Sequence, residues 1–407
     1  MNRETQSKGM GLLLVLVWLV AACTTSTQTG ETTMAPPQPT AEPRLYLSRT
    51  PTAVPLATAD PLPTGTLTPT ATATATGTPT TTATPLPPSP TLPPPSSTPG
   101  QGSTEQSRLA TPGGERLVLA LFFPWYEADD WASGKMSDRP AVLYDSRHEA
   151  DLRRQVDQAR AAGLDGFISD WFYEGHKTDS SFEKLLTVSA GTGFHSAPLL
   201  DFAATDVLHT PQRMVEALRY LMQKYSGHPQ FLRIAGRPLL VFWALPRVPP
   251  LPGSSPLETW RWIRHQVDPN RTAFWLAEGV DLSYLELFDG IYFFDISWAA
   301  DPRSANASLQ RKWSAYNATH GTAKLLVATA MPGYDDTRLG RPEGRIRERQ
   351  NGEYYNQSFA AAIEINPSII VINSFNEWYE GTQIEPSVTY GNLYLDLTGE
   401  WVARFKQ

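Results

Sequence analysis

From Glu115 to the end of the chain one pattern repeats: a short apolar run of strand length, then a segment with the spacing of an amphipathic helix. The apolar runs are Leu117–Trp125, Gly166–Phe172, Pro198–Ala204, Pro238–Ala244, Thr272–Glu278, Gly290–Trp298, Lys324–Met331 and Ser368–Phe375. Helical segments fall between most of them, at Glu149–Ala162, Pro211–Tyr225, Leu257–Gln266, Ser304–Thr319 and Tyr354–Glu364, and Leu393–Phe405 closes the chain. Eight strand–helix units within 293 residues have the size and order of a (β/α)8 TIM barrel, an α/β fold. The unit after Thr272–Glu278 is the thinnest, because Val280–Phe288 offers only a short helix.

The remainder of the chain has a different composition. Between Thr24 and Gly114 lie 19 of the 36 prolines, 26 threonines and only seven charged residues, whereas 11 of the 12 tryptophans follow Glu115. Such a segment lacks the apolar side chains that offset the entropy of ordering a chain, so residues 24–114 are expected to form a disordered stalk. Drawn out in polyproline form it would reach about 280 Å. Ahead of it, Arg3 and Lys8 precede an apolar run from Leu12 to Ala22 that is short for a bilayer span, which reads as an export signal over residues 1–23. Val20-Ala21-Ala22-Cys23 resembles a bacterial lipobox, and the resemblance implies a lipid on Cys23. The expected arrangement is an exported protein, lipid-anchored and facing outward, with its barrel domain at residues 115–407.

Several classes are excluded. A single cysteine can form neither an intrachain disulfide nor a cysteine-based zinc cluster. A net charge of −7 without a basic run argues against nucleic acid as a partner. The seven histidines are scattered and no Gly-rich loop follows a strand, so neither a metal nor another cofactor is expected, and the domain is expected to act as a monomer. The loop from Pro332 to Asn351 carries Arg338, Arg341, Arg345, Arg347 and Arg349. Salt bridges to Glu343 and Glu348 on a solvated loop are the favoured reading, over a lid that grips substrate.

A barrel of this type gathers its active site at the C-terminal ends of the strands. Those ends carry Trp125, Tyr126 and Glu127, Asp170 and Trp171, Asp201, Trp243, Glu278, Tyr292 and Asp295, Tyr334 and Asp335, and then Asn376 to Glu380. Carboxylates among aromatics suit a sugar: aromatic faces stack on pyranose rings, and carboxylates accept hydroxyl hydrogen bonds or move protons. The densest group is Ser374-Phe-Asn-Glu-Trp-Tyr-Glu-Gly-Thr-Gln-Ile-Glu-Pro386, where Glu377 and Glu380 stand three residues apart before a turn at Gly381. That spacing can aim two carboxylates into one cavity.

This segment resembles the signature of glycoside hydrolase family 99, the endo-α-mannosidases, whose pattern runs Asn-Glu-Trp-His-Glu-Gly-Thr-Gln-Ile-Glu. Phe123-Pro-Trp-Tyr126, Tyr144-Asp-Ser and Ala162-Gly-Leu-Asp-Gly-Phe-Ile168 are similar to its approach to the first two strands. The resemblance implies a (β/α)8 fold and metal-independent, retaining cleavage within α-mannoside chains. It implies that Glu377 is the base that deprotonates the substrate's own 2-hydroxyl, and that Glu380 is the general acid/base. Trp125, Tyr126, Trp171, Tyr292, Asn376 and Trp378 are the expected sugar contacts. Tyr379 departs from the family pattern, which has His there, and this leaves specificity open. Barrels with Asn-Glu-Trp-x-Glu segments also occur in α-1,3-glucanases and in proteins of surface-polysaccharide synthesis. An α-glucan enzyme, a transferase and a non-catalytic glycan-binding lipoprotein are therefore the alternatives.

Overall fold

The computed structural model describes residues 116–407. The expected export signal, Cys23 and the Thr/Pro stalk lie outside the described residues. Eight strands form the barrel: β1 Leu117–Phe122, β2 Gly166–Trp171, β3 His195–Asp201, β4 Arg237–Trp243, β5 Phe274–Glu278, β6 Gly290–Tyr292, β7 Leu325–Ala330 and β8 Ile369–Ile372. Each pairs in parallel with the next, and β8 pairs with β1, Leu117 standing opposite Ile369, so the sheet closes. Helices α1 Glu149–Ala161, α2 Lys177–Val188, α3 Pro211–Lys224, α4 Pro256–Val267, α5 Pro302–His320, α6 Glu353–Glu364 and α7 Leu393–Phe405 cover the outside. Between β5 and β6 the link is a 3-10 helix, Leu282–Glu286, as the thin sequence pattern there suggested.

Local chemistry sets the helix starts. Ser255 caps α4 in a reciprocal capping box with Glu258, and Pro256 follows at the first helical position. Thr210 and Asp301 cap α3 and α5 with side-chain oxygens that accept first-turn N–H groups, each ahead of a proline. Helix α2, absent from the named sequence expectations, begins where the His176 ring accepts the Thr178 N–H. Its apolar residues Phe182, Leu185, Leu186 and Val188 are all buried.

Alternation along each strand divides the core. Leu119 and Leu121 pack inside the barrel with Ile168, Leu199, Val241, Leu276, Val327 and Val371. Val118, Ala120 and Phe122 face the helices. Adjacent strands approach so closely at Gly166 that an added Cβ would lie 2.0 Å from the His195 carbonyl oxygen. Most strands are shorter than their apolar runs: β1, for example, stops at Phe122 ahead of Pro124, and β6 ends at Tyr292, leaving Phe293 to Trp298 to form part of the rim. A hairpin of Tyr334–Asp335 and Ile346–Arg347 rises within the loop after β7.

Candidate active site

The turn after β8 is fastened to the end of β1 before any carboxylate is placed. The Asn376 side chain pairs with Phe123 twice, accepting its N–H at 2.7 Å and donating to its carbonyl at 3.0 Å. Tyr144 Oη accepts from Asn376 Nδ2 and from Trp378 Nε1, each at 3.1 Å. Ser374 Oγ accepts the Glu377 N–H at 2.7 Å, and the Glu377 carbonyl accepts from Thr382 at 3.1 Å. The turn then closes through Gly381 at φ +58°, where an added Cβ would stand 3.1 Å from the Asp335 carbonyl oxygen.

That frame orients both glutamates. Glu377 is buried, and its Oε1 accepts from Tyr126 Oη at 3.1 Å and from the Tyr379 N–H at 3.0 Å. Tyr126 in turn accepts the Trp378 N–H at 2.9 Å, so the phenol bridges the turn and its carboxylate. Glu380 accepts from Arg341 Nη1 at 2.8 Å, while its backbone carbonyl accepts the Asp335 N–H at 2.7 Å. Two carboxyls three residues apart thus sit in unlike surroundings, one against a phenol and one against a guanidinium.

Burial dominates their electrostatics. It pushes the Glu377 carboxyl well above the usual range, with the charge of Glu380 adding to the effect. Glu380 is also raised by burial, against the opposing pull of Arg341. Asp170 has no exposed surface, neither of its carboxyl oxygens has a hydrogen-bond partner among the described residues, and burial together with the charges of Asp201 and Glu377 pushes its carboxyl well above the usual range. Burial lifts Asp201 to about 7 although its Oδ1 accepts the N–H groups of Ala203 and Ala204, and it lifts Glu278 likewise to about 7. The mouth is therefore a set of carboxyls with raised proton affinity, of which Asp201 and Glu278 titrate near neutrality, the range that acid–base work at that pH requires.

The expected sugar contacts separate by position. Trp125 is partly exposed at the rim, beside Phe123 and Phe172. Tyr126, Tyr292, Asn376 and Trp378 have no exposed surface; Tyr292 lies inside the barrel, and Asn376 and Trp378 hold the loops together. The expectation for Trp171 is corrected by strand parity: Asp170 points into the barrel, so its neighbour points out. The Trp171 indole lies against Tyr220, with Nε1 donating to Asp179 at 3.0 Å. Trp243, stacked on Phe294 with ring centres 4.3 Å apart, does reach the surface in part. Glu127 is an ion-paired rim residue, held by Lys177 and Arg147.

The arginine loop is the second correction. Among the described residues its ion pairs run not to Glu343 and Glu348 but to Glu380, Asp336 and Asp295. The hairpin turns Arg341 and Arg345 toward the mouth, and Arg349 donates to the carbonyls of Gly381 and Gln383. The pairs with Glu380 and Asp295 were not legible in the sequence, because those partners follow other strands, while Asp336 lies on the same loop. Asp130 is a further residue that the sequence reading did not single out. It accepts from Tyr379 Oη at 2.7 Å, so the residue standing where the family pattern has His is tied to the loop after β1.

A closed (β/α)8 barrel whose C-terminal mouth gathers buried carboxyls and aromatics has the architecture of the glycoside hydrolases. The comparisons agree, and the chain belongs to glycosyl hydrolase family 99, whose model matches residues 127–406. A mouse glycoprotein endo-alpha-1,2-mannosidase-like protein is 27% identical over 303 residues, covering 64% of this chain and 63% of that protein. A mouse glycoprotein endo-alpha-1,2-mannosidase is 26% identical over 308 residues, covering 65% of this chain and 62% of the relative. The chain thus matches a little over three-fifths of the length of these curated relatives. The solved GH99 endo-alpha-mannosidase from Bacteroides thetaiotaomicron is similar in fold, with a TM-score of 0.61 at 23% identity over 71% of this chain and 97% of that one.

Proposed function

We propose that this protein is an endo-acting glycoside hydrolase that cleaves α-mannoside linkages within a glycan and retains the anomeric configuration. The observation that carries the reading is the pair Glu377 and Glu380, set on one turn at the mouth of a family 99 barrel and held in different environments by Tyr126 and Arg341. Glu377 takes the proton of the sugar's 2-hydroxyl as that oxygen bonds to C1. Protonated Glu380 gives its proton to the departing glycosidic oxygen as the old C1–O bond breaks. Water then attacks C1 as the C1–O2 bond breaks, passing a proton to Glu380 while Glu377 returns its proton to O2. Buried carboxyls with raised proton affinity suit both roles. Cys23 is proposed to carry the lipid that holds the enzyme at a membrane surface, with residues 24–114 as the spacer.

Incubating the purified chain with defined α-mannans, α-glucans and 2-deoxy analogues, with NMR of the first-formed product, tests this reading. Internal cleavage of an α-mannan to an α-configured product, with the 2-deoxy analogue bound but intact, is expected. Cleavage of α-glucan alone would overturn the substrate class. Rapid hydrolysis of the 2-deoxy analogue would overturn the role of the 2-hydroxyl.

A further inference from the structure

Arg341 reaches the mouth from the loop after β7 and touches three groups at once. Its Nη1 lies 2.8 Å from Glu380 Oε1, 3.1 Å from Asp336 Oδ2 and 3.4 Å from Tyr334 Oη. The contact is shielded, with 22% of the Arg341 side chain exposed, 14% of Glu380 and 4% of Asp336. The loop around it is braced: Arg345 N donates to Asp336 Oδ1 at 2.8 Å, and the Arg345 guanidinium lies 4.0 Å over the Tyr334 ring. A guanidinium anchored in this way holds a defined position, unlike a solvated surface cation.

A general acid has to meet its substrate carrying a proton, yet a carboxyl in contact with a guanidinium is most stable ionised. The presence of two carboxylates on one guanidinium resolves the conflict. We infer that Arg341 is the positioning residue that times the proton on Glu380, stabilising the carboxylate left after proton transfer to the departing oxygen and resting on Asp336 while Glu380 is protonated. This rests on the reading of Glu380 as the proton donor. The C1–O bond breaks as the Glu380 proton moves to the leaving oxygen, and the resulting carboxylate, held by Arg341, then accepts the proton of the attacking water. Facing Glu380 are Glu377 on its own turn, Asp201 after β3, Asp295 after β6, and Tyr334 and Asp336 after β7. Asp295 and Asp336 oppose its ionisation, whereas Arg341 favours the ionisation of both Glu380 and Glu377.

The test is a carboxyl titration of the full chain labelled with 13C-glutamate, the Glu380 signal being identified by its loss in Glu380→Gln, alongside kcat/KM against pH. Arg341→Gln should move the Glu380 titration upward by about one to three pH units, and both limbs of the rate profile should move in the same direction. Arg341→Lys, which keeps the charge but loses the fork, should move them less. A Glu380 signal titrating at the wild-type pH in Arg341→Gln, or a lowered kcat with unmoved limbs, would overturn the inference. Undiminished turnover by Glu380→Gln would instead remove the proton-donor reading on which it rests.

Discussion

At the residue scale the site depends on two glutamates of the same type whose neighbours make them different. Tyr126 Oη and the Tyr379 N–H both donate to Glu377, and Arg341 donates to Glu380, so substituting either glutamate by Gln keeps its size and removes its proton chemistry. Each of Glu377→Gln and Glu380→Gln is expected to lower kcat roughly 10²- to 10⁴-fold with little change in binding, because the lost interactions form mainly in the transition state. Glu278, at the end of β5, is partly buried and raised to about 7, which makes it the rival carboxylate for a double displacement. Glu278→Gln should cost far less if the pair after β8 does the chemistry. Steady-state kinetics of the three variants decide, and a glycosyl ester trapped on Glu278 would refute the assignment. The two glutamates were legible because three-residue spacing before Gly381 is a local property. The role of Tyr144, which accepts from both Asn376 and Trp378, was not, since it joins residues more than 200 positions apart.

At the element scale, one strand shows how alternation sorts neighbours. In β2 the inward position goes to Asp170 and the outward one to Trp171, so adjacent residues that both looked suited to a sugar end on opposite sides of the sheet. The loop after β8 also reaches back to α1, where Gln155 Nε2 donates to Glu385 Oε1 at 2.9 Å. Burial lifts Glu385 from an ordinary 4.5 to about 7, and among the described residues its Oε2 has no hydrogen-bond partner. Between about pH 4.5 and 7 the folded protein keeps this proton while the unfolded chain has lost it, so stability present at low pH is lost as pH rises through the folded value. The loss is on the order of 3 kcal/mol. Glu385→Gln stays neutral throughout, and its stability relative to wild type should therefore rise from pH 4.5 to 7.5. Unfolding midpoints across that range test this, and a constant difference between the two proteins would contradict it.

For the whole molecule, closure of β8 on β1 brings the two ends of the catalytic domain together: Arg116 Nη1 donates to the Phe405 carbonyl, and Phe123 meets Asn376. The proposed anchor predicts that Cys23→Ser abolishes incorporation of a fatty-acid probe, and equal labelling of mutant and wild type would refute it. The sequence by itself determined the barrel, because strand and helix periods are set by residues a few positions apart and the eightfold alternation leaves few other architectures. It also determined the terminal signature, whose spacing is fixed within one turn. Only the tertiary structure decided which strand-end residues share the mouth, that Trp171 turns away from it, and that Arg341 meets Glu380 as well as Asp336 on its own loop. These outcomes depend on sheet parity and on loops from different strands converging, and a buried charge takes its partner from whatever group the closed barrel places within hydrogen-bond reach.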